Sequence, residues 1–173
     1  AYCFPAEIAH GAVQDCFDRG VDYIFVPHFR DMESLEEKMP GNFCPITQGL
    51  PYYIKKAFPE IPEDKYLSPV VTFQYGKEKA AESFIDLGQR LGFTAREARL
   101  AFEVALKKQE EYMKKASELG RRAIEESRAS AKPVIALLGR PYNAFTADAN
   151  MGIPRKFTSR GFSIIPFDIL PSG

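Results

Sequence analysis

There is no tryptophan in these 173 residues, and there are only two histidines and three cysteines. Cys3, Cys16 and Cys44 are too few, and odd in number, for a disulfide framework; they read as reduced thiols or metal ligands in a cytoplasmic protein. Neither His10 nor His28 falls in a His-x-x-x-His or Cys-x-x-Cys pattern, which leaves zinc little support, and both read as exposed or ordinarily hydrogen-bonded. Charge of one sign is also missing: 23 Lys and Arg balance 23 Asp and Glu, for a formal charge of zero. That balance gives no electrostatic reason to expect nucleic acid or an anionic membrane surface as a partner. No apolar run approaches the roughly 20 residues of a membrane helix. No basic segment leads into an apolar one at the start, as a secretory signal requires. Neither a Gly-x-Gly-x-x-Gly nor a Walker phosphate loop occurs, and there is no internal repeat or low-complexity tract.

What is present is a core. The hydrophobic share is 45%, with 14 Phe and 8 Tyr, well clear of a disordered composition. Ala1 stands where an initiator Met is expected, and the last residues come directly after a strand-like run. These ends suggest a segment cut from a larger protein.

Residues 5–19 read as a helix, with Pro5 in its first turn and Gly20 just past its end. Ile8, Ala9, Ala12, Val13, Cys16 and Phe17 recur at helical spacing, so Cys16 is read as a packing residue. Residues 22–27 are a short run of strand formers, expected to be buried. Residues 28–47 read as irregular, with Pro40-Gly41 as a turn, and a short helix is expected from about residue 50 to 58. Residues 66–73 read as a second strand, which Pro69 confines to an edge or a bulge. A helix over 77–91 ends at Gly92. Thr94 and Glu97 then form a capping box that opens a long helix to about residue 127, weakened only by Gly120.

The character then changes. Residues 134–138 are a clean buried strand, 139–152 a loop, 154–160 a helix bounded by Pro154 and Gly161, and 162–167 another strand. The expected fold is α/β: a parallel-type sheet lobe over 1–92, a long connecting helix over 93–131, and over 132–173 the start of a second Rossmann-like or flavodoxin-like lobe.

Two places carry chemistry. Cys3-Phe4-Pro5 and Cys44-Pro45 each put a proline close behind a cysteine. Proline holds the residue before it extended and removes an amide donor near the sulfur. Both features help present a thiolate from the start of a helix or loop, and a helix N-terminus favours the anion. Iron–sulfur clusters need such thiolates, usually four. The alternative is a pair of reduced, partly buried cysteines without a role. The second place is the 139–152 loop, at the carboxyl end of a strand where open α/β sheets place their ligand crevices. Arg140, Tyr142, Asn143, Asn150 and Gly152 are its candidate ligand-binding residues, Arg140 suiting a carboxylate or phosphate. Alternatively its Arg and Asn side chains fix a structural loop. The acidic group Asp31, Glu33, Glu36 and Glu37, with Lys38 beside it, reads as a solvated face.

Taken in order, several stretches resemble one family. Cys3, Pro5, His10 and Gly11 match the Cys-x-Pro-x-x-x-x-His-Gly opening of a known domain, and residues 20–27 match the next stretch of that domain. Phe43-Cys44-Pro45 resembles its second cysteine motif. Gly139-Arg140-Pro141-Tyr142, Asn150, Gly152-Ile153-Pro154 and Gly161-Phe162 resemble its later signature. The domain is the 2-hydroxyglutaryl-CoA dehydratase-like region of the CoA-substrate-specific enzyme activase group. The resemblance implies a role in ATP-driven, low-potential electron transfer. It implies actin-like ATPase domains in the same parent protein as partners, together with acyl-CoA dehydratase components. It also implies that Cys3 and Cys44 ligate a 4Fe–4S cluster whose ligand set is incomplete within this chain. The chain departs from the pattern at Asn143 and Met151, where many relatives carry histidine, and it lacks a third cluster cysteine. Two other readings stand beside this one: a docking module that needs no metal, and a small-molecule enzyme using the Arg140 loop.

Overall fold

The computed structural model describes residues 3–32 and 41–171. They divide into two compact units, within 1–103 and 104–173. The fold is mixed α/β with parallel strand pairing, the class that the sequence pattern predicts.

The first unit opens with α1 (Phe4–Asp18), whose first turn holds Pro5 and whose end is followed by Gly20 at φ +64°. The chain continues through β1 (Ile24–Phe25), β2 (His28–Phe29), α2 (Pro45–Ala57), β3 (Tyr66–Leu67), β4 (Val70–Val71) and α3 (Lys77–Arg90). β1 pairs in parallel with β3 and β2 with β4. The strand expected over 66–73 is thus two short pieces, and β2 adds a strand in a stretch expected to be irregular; proline is the reason for the division. The amides of Ile24, Val26, His28 and Arg30 donate in turn to the carbonyls of Lys65, Leu67, Pro69 and Val71, each at 2.9 Å. Pro27 occupies an alternate position that does not donate, so it fits the ladder. Pro69 has no N–H to return to the facing strand, which removes one rung and divides the pairing.

The core of this unit gathers Val13 of α1, Ile24, Val26, Ile54 of α2, Phe58, Ile61 and Tyr66, with Cys16 and Leu50 packed against it. Cys16 therefore packs as its spacing suggests. The apolar face of α1 is only partly covered, since Ile8 and Phe17 remain exposed. α2 begins five residues earlier than the sequence suggests. Cys44 caps it, Pro45 occupies its first position, and Pro51 is accommodated inside it.

α4 (Ala95–Ala129) opens on the predicted capping box. The Thr94 amide donates to the Glu97 carboxylate at 2.8 Å, and the Glu97 amide donates back to the Thr94 hydroxyl at 3.3 Å. Within the first unit it packs on α3 through Phe84 and Phe102, whose ring centres lie 5.3 Å apart.

The second unit contains the rest of α4, then β5 (Val134–Leu137), α5 (Pro141–Ala144), α6 (Ile153–Thr158) and β6 (Ser163–Pro166), ending in a 3-10 turn at Phe167–Ile169. β5 and β6 pair in parallel from Val134↔Ser163 to Leu137↔Pro166. Ile165 is its most buried large side chain, at 1% exposure. α5 is a short helix where the sequence suggested only loop; Arg140 in extended conformation caps it and Pro141 starts it. Among the described residues, no helix is long and apolar enough to cross a membrane.

Candidate functional site

Cys3 and Cys44 occupy the same local setting. Each is the N-cap of a helix, each has an extended backbone (ψ 123° and 148°), and each is followed by a proline in the first turn. Pro45 restricts Cys44, its immediate predecessor, to extended conformations; Pro5 stands one residue further on, behind Phe4, and both prolines suit a first turn because they need no amide partner there. The Cys3 carbonyl accepts from the amides of Ala6 at 2.9 Å and Glu7 at 3.2 Å, so its backbone closes the first turn of α1. At Cys44 the sulfur itself caps: it accepts the Thr47 amide at 3.4 Å and lies 3.2 Å from the Thr47 hydroxyl oxygen. Both cysteines are half-buried, and neither is in a disulfide. The helices they cap, α1 and α2, send side chains into one core.

The donor chemistry at these two positions fits an iron–sulfur cluster in kind, since such clusters use Cys thiolates and a helix N-terminus favours the anionic form. It fits in part of the number. Among the described residues, no three His, Cys, Asp or Glu side chains gather into a metal-binding group.

The two histidines make ordinary contacts. His10 Nδ1 lies 2.7 Å from the Ala6 carbonyl oxygen, one turn back on α1. His28 packs edge-on against the Tyr52 ring of α2, with 3.4 Å between Nδ1 and the Tyr52 hydroxyl. Burial, and then the nearby Arg30 charge, holds the His28 imidazole below its usual range.

Asp31 corrects the reading of a solvated acidic face. The residue is 3% exposed. Its carboxylate accepts the Thr72 hydroxyl at 2.5 Å and the amides of Phe73 at 2.6 Å and Gln74 at 2.8 Å. Burial alone would raise its pKa, but the bonds from Thr72, Gln74 and Phe73, helped by the Arg30 charge, hold it below the ordinary aspartate value. Nothing in the local sequence signals this, because the partners lie 41 to 43 residues away. Glu33, Glu36, Glu37 and Lys38 lie outside the described residues.

In the second unit, a cleft of about 380 Å³ opens at the carboxyl end of β5, within the usual size range for small ligands. Leu137, Gly139, Asn143, Ala144, Asn150 and Ile153 line it. Of the five loop residues singled out by sequence, the structure brings Asn143 and Asn150 to this cleft. Arg140, Tyr142 and Gly152 are not in its lining. Asn150 is already engaged: its Nδ2 donates to the Ala144 carbonyl at 3.2 Å, and its Oδ1 accepts the Gly152 amide at 2.9 Å. Gly152, at φ +69°, makes the left-handed turn that starts α6. These bonds give Asn150 the backbone-fixing role.

A family model described as the CoA enzyme activase uncharacterised domain matches residues 1–170. No curated protein and no solved structure matches the chain.

Proposed function

This chain belongs to the CoA enzyme activase family, and on that premise we propose that it is the electron-accepting, dehydratase-like region of a 2-hydroxyacyl-CoA dehydratase system. The family match itself reaches the activase group and stops short of the 2-hydroxyglutaryl-CoA dehydratase activator in particular. The observation that carries the narrower reading is the matched pair of cysteines, each an extended N-cap with a proline behind it, on two helices that share a core.

In this reading Cys3 and Cys44 give two thiolates to a 4Fe–4S cluster, and the remaining ligands come from elsewhere in a longer parent protein or from a partner subunit. Such a cluster supplies one-electron transfer at low potential. The chain's own contribution is electrostatic and geometric. Two helix N-termini present their positive ends to sulfur ligands. The Thr47 amide donates to the Cys44 sulfur, and hydrogen bonds to ligand sulfurs are among the factors that set a cluster's potential. Actin-like ATPase domains of the same parent deliver the electron, and acyl-CoA dehydratase components complete the reaction. The chain has no Walker-type phosphate loop and is not itself the ATPase in this scheme.

The test is an electron paramagnetic resonance spectrum of the full-length protein, purified and reduced without oxygen. A reduced-cluster signal is expected in the wild type and in Cys16→Ala. Cys3→Ala and Cys44→Ala are expected to lose or alter it. Identical spectra in all four proteins contradict the proposal and leave the docking-module reading in its place.

A further inference from the structure

Asp31 holds two parts of the first unit together. Its side chain binds the segment immediately after β4, through Thr72, Phe73 and Gln74. Its backbone forms an antiparallel bridge with Asn42. On either side of that bridge the Met32 amide donates to the Gly41 carbonyl at 2.9 Å, and the Phe43 amide donates to the Arg30 carbonyl at 3.0 Å. The Phe29 and Phe43 rings pack with centres 5.9 Å apart. The Gln48 side chain donates to the Phe43 carbonyl at 2.7 Å, tying this segment to the first turn of α2. The next residue along the chain is Cys44.

We propose that Asp31 is a positioning residue for Cys44: its carboxylate fixes the 30–32 backbone, and the bridge to 41–43 transmits that placement to the N-cap sulfur of α2. What Cys44 is positioned to do rests on the cluster reading above; the mechanical link from Asp31 to Cys44 does not. A carboxylate suits the task because it only accepts, and all three of its partners donate. Asparagine at this position keeps an oxygen for the two amides but removes the charge and turns the acceptor facing Thr72 into a donor, so the Thr72 bond must reverse and all three bonds weaken inside a buried site. Cys3 caps a different helix, and none of its hydrogen bonds runs through the bridge. It serves as an internal control.

The experiment is alkylation of the reduced, metal-free full-length protein by iodoacetamide, with the rate at each cysteine read by peptide mass spectrometry. In Asp31→Asn the Cys44 rate is expected to change by about threefold or more, because thiol reactivity follows its immediate surroundings. The rates at Cys3 and Cys16 are expected to stay at their wild-type values. Thr72→Val removes one bond of the three and is expected to shift Cys44 in the same direction by less, which keeps the test decisive if Asp31→Asn fails to fold. An unchanged Cys44 rate overturns the proposal. So does a parallel rise at all three cysteines, which would mean general loosening. Iron content of the anaerobic wild type is measured alongside. A wild type without iron contradicts the cluster reading, while the alkylation rates still decide the positioning role.

Discussion

The Tyr66 hydroxyl donates a 2.7 Å hydrogen bond to the carbonyl of Pro51, linking β3 to the middle of α2 inside the first unit's core. The Lys55 ammonium sits 5.3 Å from the centre of the same ring. Burial pushes the phenol from 10.0 up to about 12. A raised folded-state value means this contribution to stability is complete below pH 10.0 and is lost as pH climbs from there toward about 12. In an ultraviolet titration of tyrosinate, one of the eight tyrosines is expected to ionise late, near 12. Tyr66→Phe should remove that late component and lower stability by about 1 kcal/mol, the usual net value of one hydrogen bond. A wild-type titration already complete near 10.0 contradicts this account of Tyr66.

Gly120 is the one position where the composition of α4 weakens as a helix, and the structure supplies a reason for it. A Cβ there would fall 1.8 Å from the Ile169 carbonyl oxygen and 2.8 Å from its carbonyl carbon. Helix propensity alone favours Gly120→Ala by about 1 kcal/mol. The obstacle is backbone, which cannot swing aside like a side chain, so overpacking should win by about 1–3 kcal/mol net. Thermal unfolding of the variant is expected to show a lower midpoint; a raised one would mean that the Ile169 turn yields freely.

The second unit's loop makes a contrasting pair. Asn150→Ala removes both the bond to the Ala144 carbonyl and the acceptor for the Gly152 amide. It should cost roughly 1–2 kcal/mol and speed hydrogen exchange at the Gly152 amide. Arg140 is exposed at the cap of α5, so Arg140→Ala should change stability by less than about 0.5 kcal/mol. Equal exchange rates at Gly152 in both variants would show that Asn150 does not hold this turn.

The sequence discloses most where the physics is local. A capping box over four residues, a proline behind Cys3, and glycines beyond helix ends all act within one turn, and Thr94, Cys3 and Gly20 stand where that logic puts them, whereas the helix that Cys44 caps starts ahead of the expected one. It discloses least where the cause lies across the chain. Asp31 looks like one acid among several until Thr72 and the two amides after it arrive from 41 to 43 residues away. Gly120 looks like a flaw until Ile169 is seen against it. Pro69 is an intermediate case: its missing amide forewarned of a break, but the parallel partner that loses the rung emerges only with the fold. Arg140 was the most conspicuous charge in its loop, yet the cleft beside it is lined by Asn143 and Asn150.

The central claim is that Cys3 and Cys44 together hold iron. Iron and acid-labile sulfide per chain, in full-length protein purified without oxygen, test it most directly when the wild type is compared with a Cys3→Ala, Cys44→Ala double variant and with Cys16→Ala. The account predicts that the double variant loses a cluster's worth of both elements while Cys16→Ala keeps the wild-type content. Iron and sulfide unchanged in the double variant would contradict it.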